Sequence, residues 1–105
     1  MDDDVIYGDF IWNRKKAEEN KAKHRISFEE ASTIYSDPFR SLEYDEKNST
    51  PDEERYNIIG VIEKILVVFV TTMERNDKIR IISARRATTK EQERYNENIK
   101  QFLGL

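Results

Sequence analysis

The longest uninterrupted apolar run in the chain, Ile65–Val70, is six residues long and continues through Thr71 and Thr72. A half-exposed strand would alternate apolar and polar residues, so this β-branched run reads as a strand covered on both faces. Such a strand needs neighbours, and the flanking segments supply them. Residues 55–62 (Arg-Tyr-Asn-Ile-Ile-Gly-Val-Ile) precede it across a Glu63-Lys64 turn, and Ile79–Arg86 follow across a turn holding Asn76-Asp77. Strands joined by turns this short are antiparallel. Six apolar residues are also far short of the ~20 that a membrane-spanning helix requires, so no membrane partner is expected.

The other elements are marked by caps and stops. Phe10-Ile11-Trp12 reads as a short strand, and Asn13 can cap a helix over residues 14–23. Ser27 with Glu30 three residues on is a capping box that opens a second helix to about Tyr35, with Phe28, Ala31 and Tyr35 on one face. Asp37-Pro38 ends it, because the residue before a proline is pushed out of the helical region. A strand is expected at Ser41–Tyr44, and a polar loop over residues 45–52. Thr88 and Glu91 form a second capping box, followed by Tyr95, Ile99 and Phe102 or Leu103 at helical spacing, the stripe of a C-terminal amphipathic helix. The expected fold is α+β: one domain, residues 1–105, a mostly antiparallel sheet with two N-terminal helices and a C-terminal helix packed on it.

Composition removes whole classes of function. Without cysteine there are no disulfides, zinc–thiolate sites or thiol nucleophiles, and a single histidine rules out a multi-histidine metal cage. Metal-free chemistry and no cofactor are the expectation. The N-terminus, Met1-Asp2-Asp3-Asp4, shows neither the basic nor the apolar segment of a signal peptide, which points to the cytoplasm. Net charge is −3, but unevenly spread: residues 1–63 carry 9 Lys/Arg and 16 Asp/Glu, residues 64–105 carry 9 and 5. The C-terminal part alone has the sign that phosphate requires. No Gly-rich phosphate loop, nucleophile elbow or zinc-protease helix is present.

The final strand carries the most informative cluster. In a regular strand Arg80, Ile82, Ala84 and Arg86 point one way and Ile79, Ile81, Ser83 and Arg85 the other. The strand thus turns from apolar to basic, as a core strand does on emerging into a cleft, with Arg75 in the preceding turn. Arginine forks suit phosphate through paired charge-assisted hydrogen bonds; pairing with surface carboxylates is the alternative. On the first helix Lys16, Asn20, and Lys23 or His24 share a face. His24 is either a proton carrier near neutrality or a helix C-terminal cap. Trp12 is either a base-stacking platform or a core aromatic. Glu53-Glu54-Arg55-Tyr56 places an acid, a base and a phenol at a strand entrance.

Taken in order, these motifs resemble the BrnT toxins: Phe10-x-Trp12-Asn13, Lys16, Asn20, Lys23-His24, Ile26-Ser27-Phe28-Glu29-Glu30-Ala31, Asp37-Pro38, Glu53-Glu54-Arg55-Tyr56, Gly60, Leu66-Val67-Val68, Arg75, Ile79–Thr88 and Tyr95. The resemblance spans about residues 10–95. It implies a ribonuclease toxin of a type II toxin–antitoxin pair and a RelE-like fold. It also implies a BrnA-like antitoxin as neutralising partner, with DNA contacted only through that antitoxin. In two places the chain departs from the family pattern. Asn13 stands where Asp is usual, and Arg25 stands where Gly is usual after Lys-His; a left-handed backbone there would cost Arg25 on the order of 1 kcal/mol.

Metal-independent RNA cleavage needs the 2′-hydroxyl deprotonated, the leaving 5′-oxygen protonated and the extra charge on phosphorus stabilised. The candidate catalytic set is Arg85, Arg80, His24, Glu54 and Lys16; the candidate RNA-contacting set is Arg86, Arg75, Lys23, Trp12 and Tyr95. Arginines at the end of the last strand are expected to converge on the phosphate. The alternative function is a non-catalytic module, a degenerate toxin that binds antitoxin or RNA and serves in operon control.

Overall fold

A computed structural model describes residues 3–105; Met1 and Asp2 of the acidic N-terminus lie outside them. The elements are β1 (Asp4–Tyr7), β2 (Phe10–Asn13), α1 (Arg14–His24), α2 (Phe28–Ser32), a 3-10 turn (Thr33–Ser36), β3 (Ser41–Tyr44), β4 (Arg55–Ile62), β5 (Leu66–Arg75), β6 (Lys78–Arg86) and α3 (Thr89–Leu103). Six strands form one sheet in the order β1-β2-β6-β5-β4-β3. The fold is α+β as expected, but the sheet is mixed: β6 inserts beside β2 in parallel, through the pairs Phe10↔Ile79 and Ile11↔Arg80. The remaining neighbours are antiparallel.

Strand β1 was not expected. It is a four-residue edge strand whose Ile6 and Tyr7 remain exposed, so burial imposes no apolar alternation on its sequence. Two turns rest on left-handed residues, Glu63-Lys64 between β4 and β5 and Asn76-Asp77 between β5 and β6. Asparagine and aspartate tolerate that conformation, as hairpin turns require.

The expected caps form. Asn13 Oδ1 accepts from the Lys16 amide, and Ser27/Glu30 and Thr88/Glu91 make reciprocal capping boxes, interactions of about 1 kcal/mol each. The first helix ends on Arg25, left-handed at φ 60°. The usual glycine is therefore replaced where its freedom is used.

Helices α1 and α2 cover one face of the sheet. The core between them contains Trp12, Phe28, Ile34, Ile58, Val68, Val70, Ile81 and Ala84, with the Trp12 and Phe28 rings packed edge to face. Asn20 points into this layer instead of joining a basic stripe. Its amide donates to the Ile26 and Ala84 carbonyls and accepts from the Ala84 amide, locking α1 to β6. Helix α3 lies on the opposite face, where its Glu91 holds Arg85 and its Arg94 holds Glu43. It covers only part of that face, so Val67, Phe69 and Thr71 of β5 are half-buried rather than covered as the sequence run suggested.

A second buried polar node fixes α3. The Tyr95 hydroxyl donates to Asp37 Oδ2 at 2.6 Å, and the same oxygen accepts from the Val61 amide while Oδ1 accepts from Phe39. Gly60 lets the 3-10 turn that leads to Asp37 lie close on β4, since a Cβ there would come 3.0 Å from the Ile34 Cβ.

One irregularity decides which way the last strand's arginines point. Thr71 pairs with Ser83 but Thr72 pairs with Ile81, leaving Ile82 without a partner. This bulge reverses the alternation. Ile81 and Ala84 both enter the helix-side core, whereas Arg80 and Arg85 both face away from it. The regular alternation, which put those two arginines on opposite faces, is corrected by that single extra residue.

Candidate functional site

The part of the second face that α3 leaves bare holds an open cleft of about 370 Å³, lined by Asp4, Asn13, Lys16, Glu53, Arg55, Met73, Arg75, Arg80 and Ile82 among others. Strand register explains the gathering. Arg55 of β4 pairs with Met73 of β5, Met73 with Arg80 of β6, Arg80 with Ile11 of β2, and Ile11 with Ile6 of β1. One lateral row therefore crosses five strands, with guanidinium groups at its first and third rungs, about 10 Å apart at ~4.8 Å per strand. Lys16 joins from the first turn of α1, which Asn13 caps beside Asp4 of the paired edge strand.

Arg80 is held in a bidentate pair by Asp4, Nη1 to Oδ1 at 3.3 Å and Nη2 to Oδ2 at 3.0 Å. The Arg80 hydrogen bonds, and beyond them the charge of Arg75, hold the Asp4 carboxyl below its usual range, so it stays ionised at neutral pH. Lys16, Arg55 and Arg75 take part in no ion pair among the described residues. Among the described residues three buried side-chain polar atoms lack a hydrogen-bond partner, and two of them, the Nε atoms of Arg55 and Arg80, belong to residues of this cleft. Unpaired buried donors cost on the order of 1–3 kcal/mol each and mark places where a fold serves something besides stability. Four cations against Asp4 and Glu53 leave the cleft net positive.

The expected convergence of Arg80, Arg85 and Arg86 is not what the structure shows. Arg85 bonds Glu91 in a fork, Nη1 to Oε1 at 2.8 Å and Nη2 to Oε2 at 3.0 Å, and its guanidinium lies 4.1 Å over the Phe69 ring. Glu91 is in turn pushed below the usual carboxylate range, chiefly by Arg85 and then by the Thr88 amide. Arg86 is exposed, on the opposite side of the strand from Arg85. Lys23 and His24 close α1, eight residues beyond Lys16 in the case of His24, or about 12 Å along the helix.

Trp12 is 2% exposed in the core and presents no ring face for stacking a base. Tyr95 is buried and its hydroxyl donates to Asp37, burial first and that carboxylate second raising its pKa, and it does not line the cleft. Glu54 alternates away from Arg55 and shares the side of Tyr56, whose ionisation it helps to disfavour. Of the two adjacent acids it is Glu53 that lines the cleft, its backbone pinned by two hydrogen bonds with Thr50. Glu53 and Arg55 belong to the strand-entrance segment but not to the candidate set, which took Glu54 from it. Their signal was available: positions i and i+2 at a strand entrance share a face.

Fold and cleft together define a small α+β protein with a cationic trough across one sheet face, a surface suited to a phosphate backbone. The family model described as "Ribonuclease toxin, BrnT, of type II toxin-antitoxin system" matches residues 12–91, and the chain belongs to that family. Among solved structures, the Brucella abortus ribonuclease toxin BrnT is similar to it with a TM-score of 0.54 and 21% sequence identity, covering 74% of this chain and 94% of that one. No curated protein matches the sequence. Among the described residues, no helix is long and apolar enough to cross a membrane.

Proposed function

We propose that this chain is an endoribonuclease toxin, a single RelE-like domain over residues 1–105, that cleaves RNA without a metal ion and acts in the cytoplasm to inhibit translation. A BrnA-like antitoxin neutralises it and provides the only contact with DNA. The observation that carries the reading is the lateral row in which Arg55 and Arg80 flank Met73, with Lys16 and Arg75 beside it. In this reading Arg55, Arg75 and Arg80 bind the scissile phosphate and offset the charge that develops on it. Glu53 accepts the 2′-hydroxyl proton and Lys16 donates to the leaving oxygen.

Of the residues first nominated, Arg80, Arg75 and Lys16 keep their roles. Arg85 serves to hold α3. His24, Lys23, Arg86 and Glu54 stay outside the reacting centre, and Trp12 and Tyr95 support the fold. The Asp4 carboxylate seated on Arg80 favours a second reading, a cleft that binds RNA or antitoxin without cutting. Incubating the purified protein with RNA and with matched DNA, each with and without EDTA, separates the two. Cleavage of RNA alone, unchanged by EDTA, is expected, because DNA lacks the 2′-hydroxyl. Intact RNA would favour the binding-only reading, and cleavage lost on chelation would refute the metal-free mechanism.

A further inference from the structure

The row that begins at Arg55 does not stop at Arg80. Beyond the Asp4–Arg80 pair lies a second open cavity of about 410 Å³, lined by Asp4, Ile6, Ile11, Arg75, Asn76, Lys78 and Arg80. Asp4, Arg75 and Arg80 line both cavities, so the ion pair is a partition between two halves of one trough. The far half differs in character. Its floor is Ile11 and Ile6, the fourth and fifth rungs of the same row, and Ile6 is 66% exposed on an edge strand with no helix over it. At its rim Lys78 donates to the Gly8 carbonyl at 3.0 Å and takes part in no ion pair among the described residues. Three cations against one carboxylate leave this half positive as well.

We propose that this second cavity is a subsite for the nucleotide next to the scissile phosphate, so that the substrate is a single RNA strand laid across the sheet. The proposal rests on the ribonuclease reading and extends it. An apolar floor beside a cationic rim matches one unstacked base beside one phosphate, which a duplex does not present. The partition sets the register: a phosphate is repelled by the Asp4 carboxylate, so successive phosphates fall on either side of it. Lys78 holds the outer phosphate, and Ile6 and Ile11 meet the base.

The test compares cleavage of an RNA dinucleotide with that of an unstructured RNA hexanucleotide, for the wild type, Lys78→Ala and Ile6→Ser. It also measures binding of an uncleavable 2′-O-methyl hexanucleotide over a range of salt. The wild type should prefer the hexanucleotide through a lower KM. Each variant should raise the hexanucleotide KM on the order of fivefold at little changed kcat, shrinking its advantage over the dinucleotide by the same factor. Lys78→Ala should also flatten the salt dependence of binding by about 0.7 in log–log slope, the share of one phosphate contact. Equal effects on both substrates, or none, with wild-type cleavage intact, would overturn the subsite and leave the ribonuclease reading standing. A wild type that neither cuts nor binds either RNA would overturn both. Ile6 is a surface side chain with no hydrogen bond to lose, so its variant keeps the test decisive if Lys78→Ala disturbs the β1–β2 turn.

Discussion

Arg80 and Arg85 sit five residues apart on one strand, face the same way and each grip a carboxylate through two hydrogen bonds, yet they do different things. Glu91, the partner of Arg85, belongs to a helix that is already capped, and its Oε1 accepts from Arg85 and from the Thr88 amide together. The Arg85 guanidinium also rests on Phe69 and donates to the Arg86 carbonyl. The Glu91 fork ties β6 to α3, and the other two contacts hold the guanidinium against β5 and its own strand. Asp4, the partner of Arg80, comes from an edge strand of four residues, and around that pair stand three further cations with no ion-pair partner among the described residues. An arginine–carboxylate pair is therefore not diagnostic by itself. What surrounds it decides: at one end the charge is consumed by the fold, and at the other a surplus remains for a ligand.

This contrast is sharpest in activity. Arg55→Ala should lower RNA cleavage by about 100-fold or more, the scale on which transition-state charge stabilisers act, with the melting temperature little changed because Arg55 makes no ion pair among the described residues. A rate assay beside a thermal melt checks both halves, and undiminished cleavage would take Arg55 out of the site. Arg85→Ala should show the opposite profile. Its side chain is 36% exposed, so screening limits the loss to about 1 kcal/mol. For a domain of this size that is roughly 4–8 °C in melting temperature. A large loss of turnover in a fully folded Arg85→Ala protein would return that residue to the active site.

Acid should weaken both pairs. Asp4 and Glu91 have folded pKa values below their ordinary ones near 4. Their stabilisation is therefore complete above the unfolded value and is lost as pH falls through the folded one. Melting temperature should begin to drop as pH falls below the ordinary carboxylate range and go on dropping at more acid pH, and Glu91→Gln should remove part of that drop by making the protein weaker at neutral pH already. The smallest effect lies at the α1–α2 corner, remote from both ends. Arg25→Gly should stabilise by up to about 1 kcal/mol, because φ 60° strains any residue with a Cβ, although a more flexible unfolded chain offsets part of the gain. Denaturant titration reads it directly.

Much of this architecture was legible in the sequence because it is written in local chemistry. Side-chain caps at Asn13, Ser27 and Thr88 fix helix starts, and Asn76-Asp77 fixes a turn, each through atoms within a few residues. What was not legible depends on distant partners. The Ile82 bulge exists only in the pairing of β6 with β5, and it alone put Arg80 and Arg85 on one face. Strand β1 is invisible because it is four residues long and exposes Ile6 and Tyr7, yet it supplies Asp4. Tyr95 looks like an RNA contact and Asn20 like part of a basic helix face until Asp37 and Ala84, 58 and 64 residues away, are seen to satisfy them. Glu53 was displaced by Glu54 for a similar reason, since only the strand's start settles which of two adjacent acids faces Arg55.

The most direct measurement follows the arginine Nε–H signals by NMR as an uncleavable 2′-O-methyl oligonucleotide is added to ¹⁵N-labelled protein. Shifts concentrated at Arg55, Arg75 and Arg80, with Arg85 unmoved, are the expected result. Shifts concentrated at Arg85 and Arg86, with the Arg55 and Arg80 signals unchanged, would contradict the assignment of the cleft as the place where RNA is held.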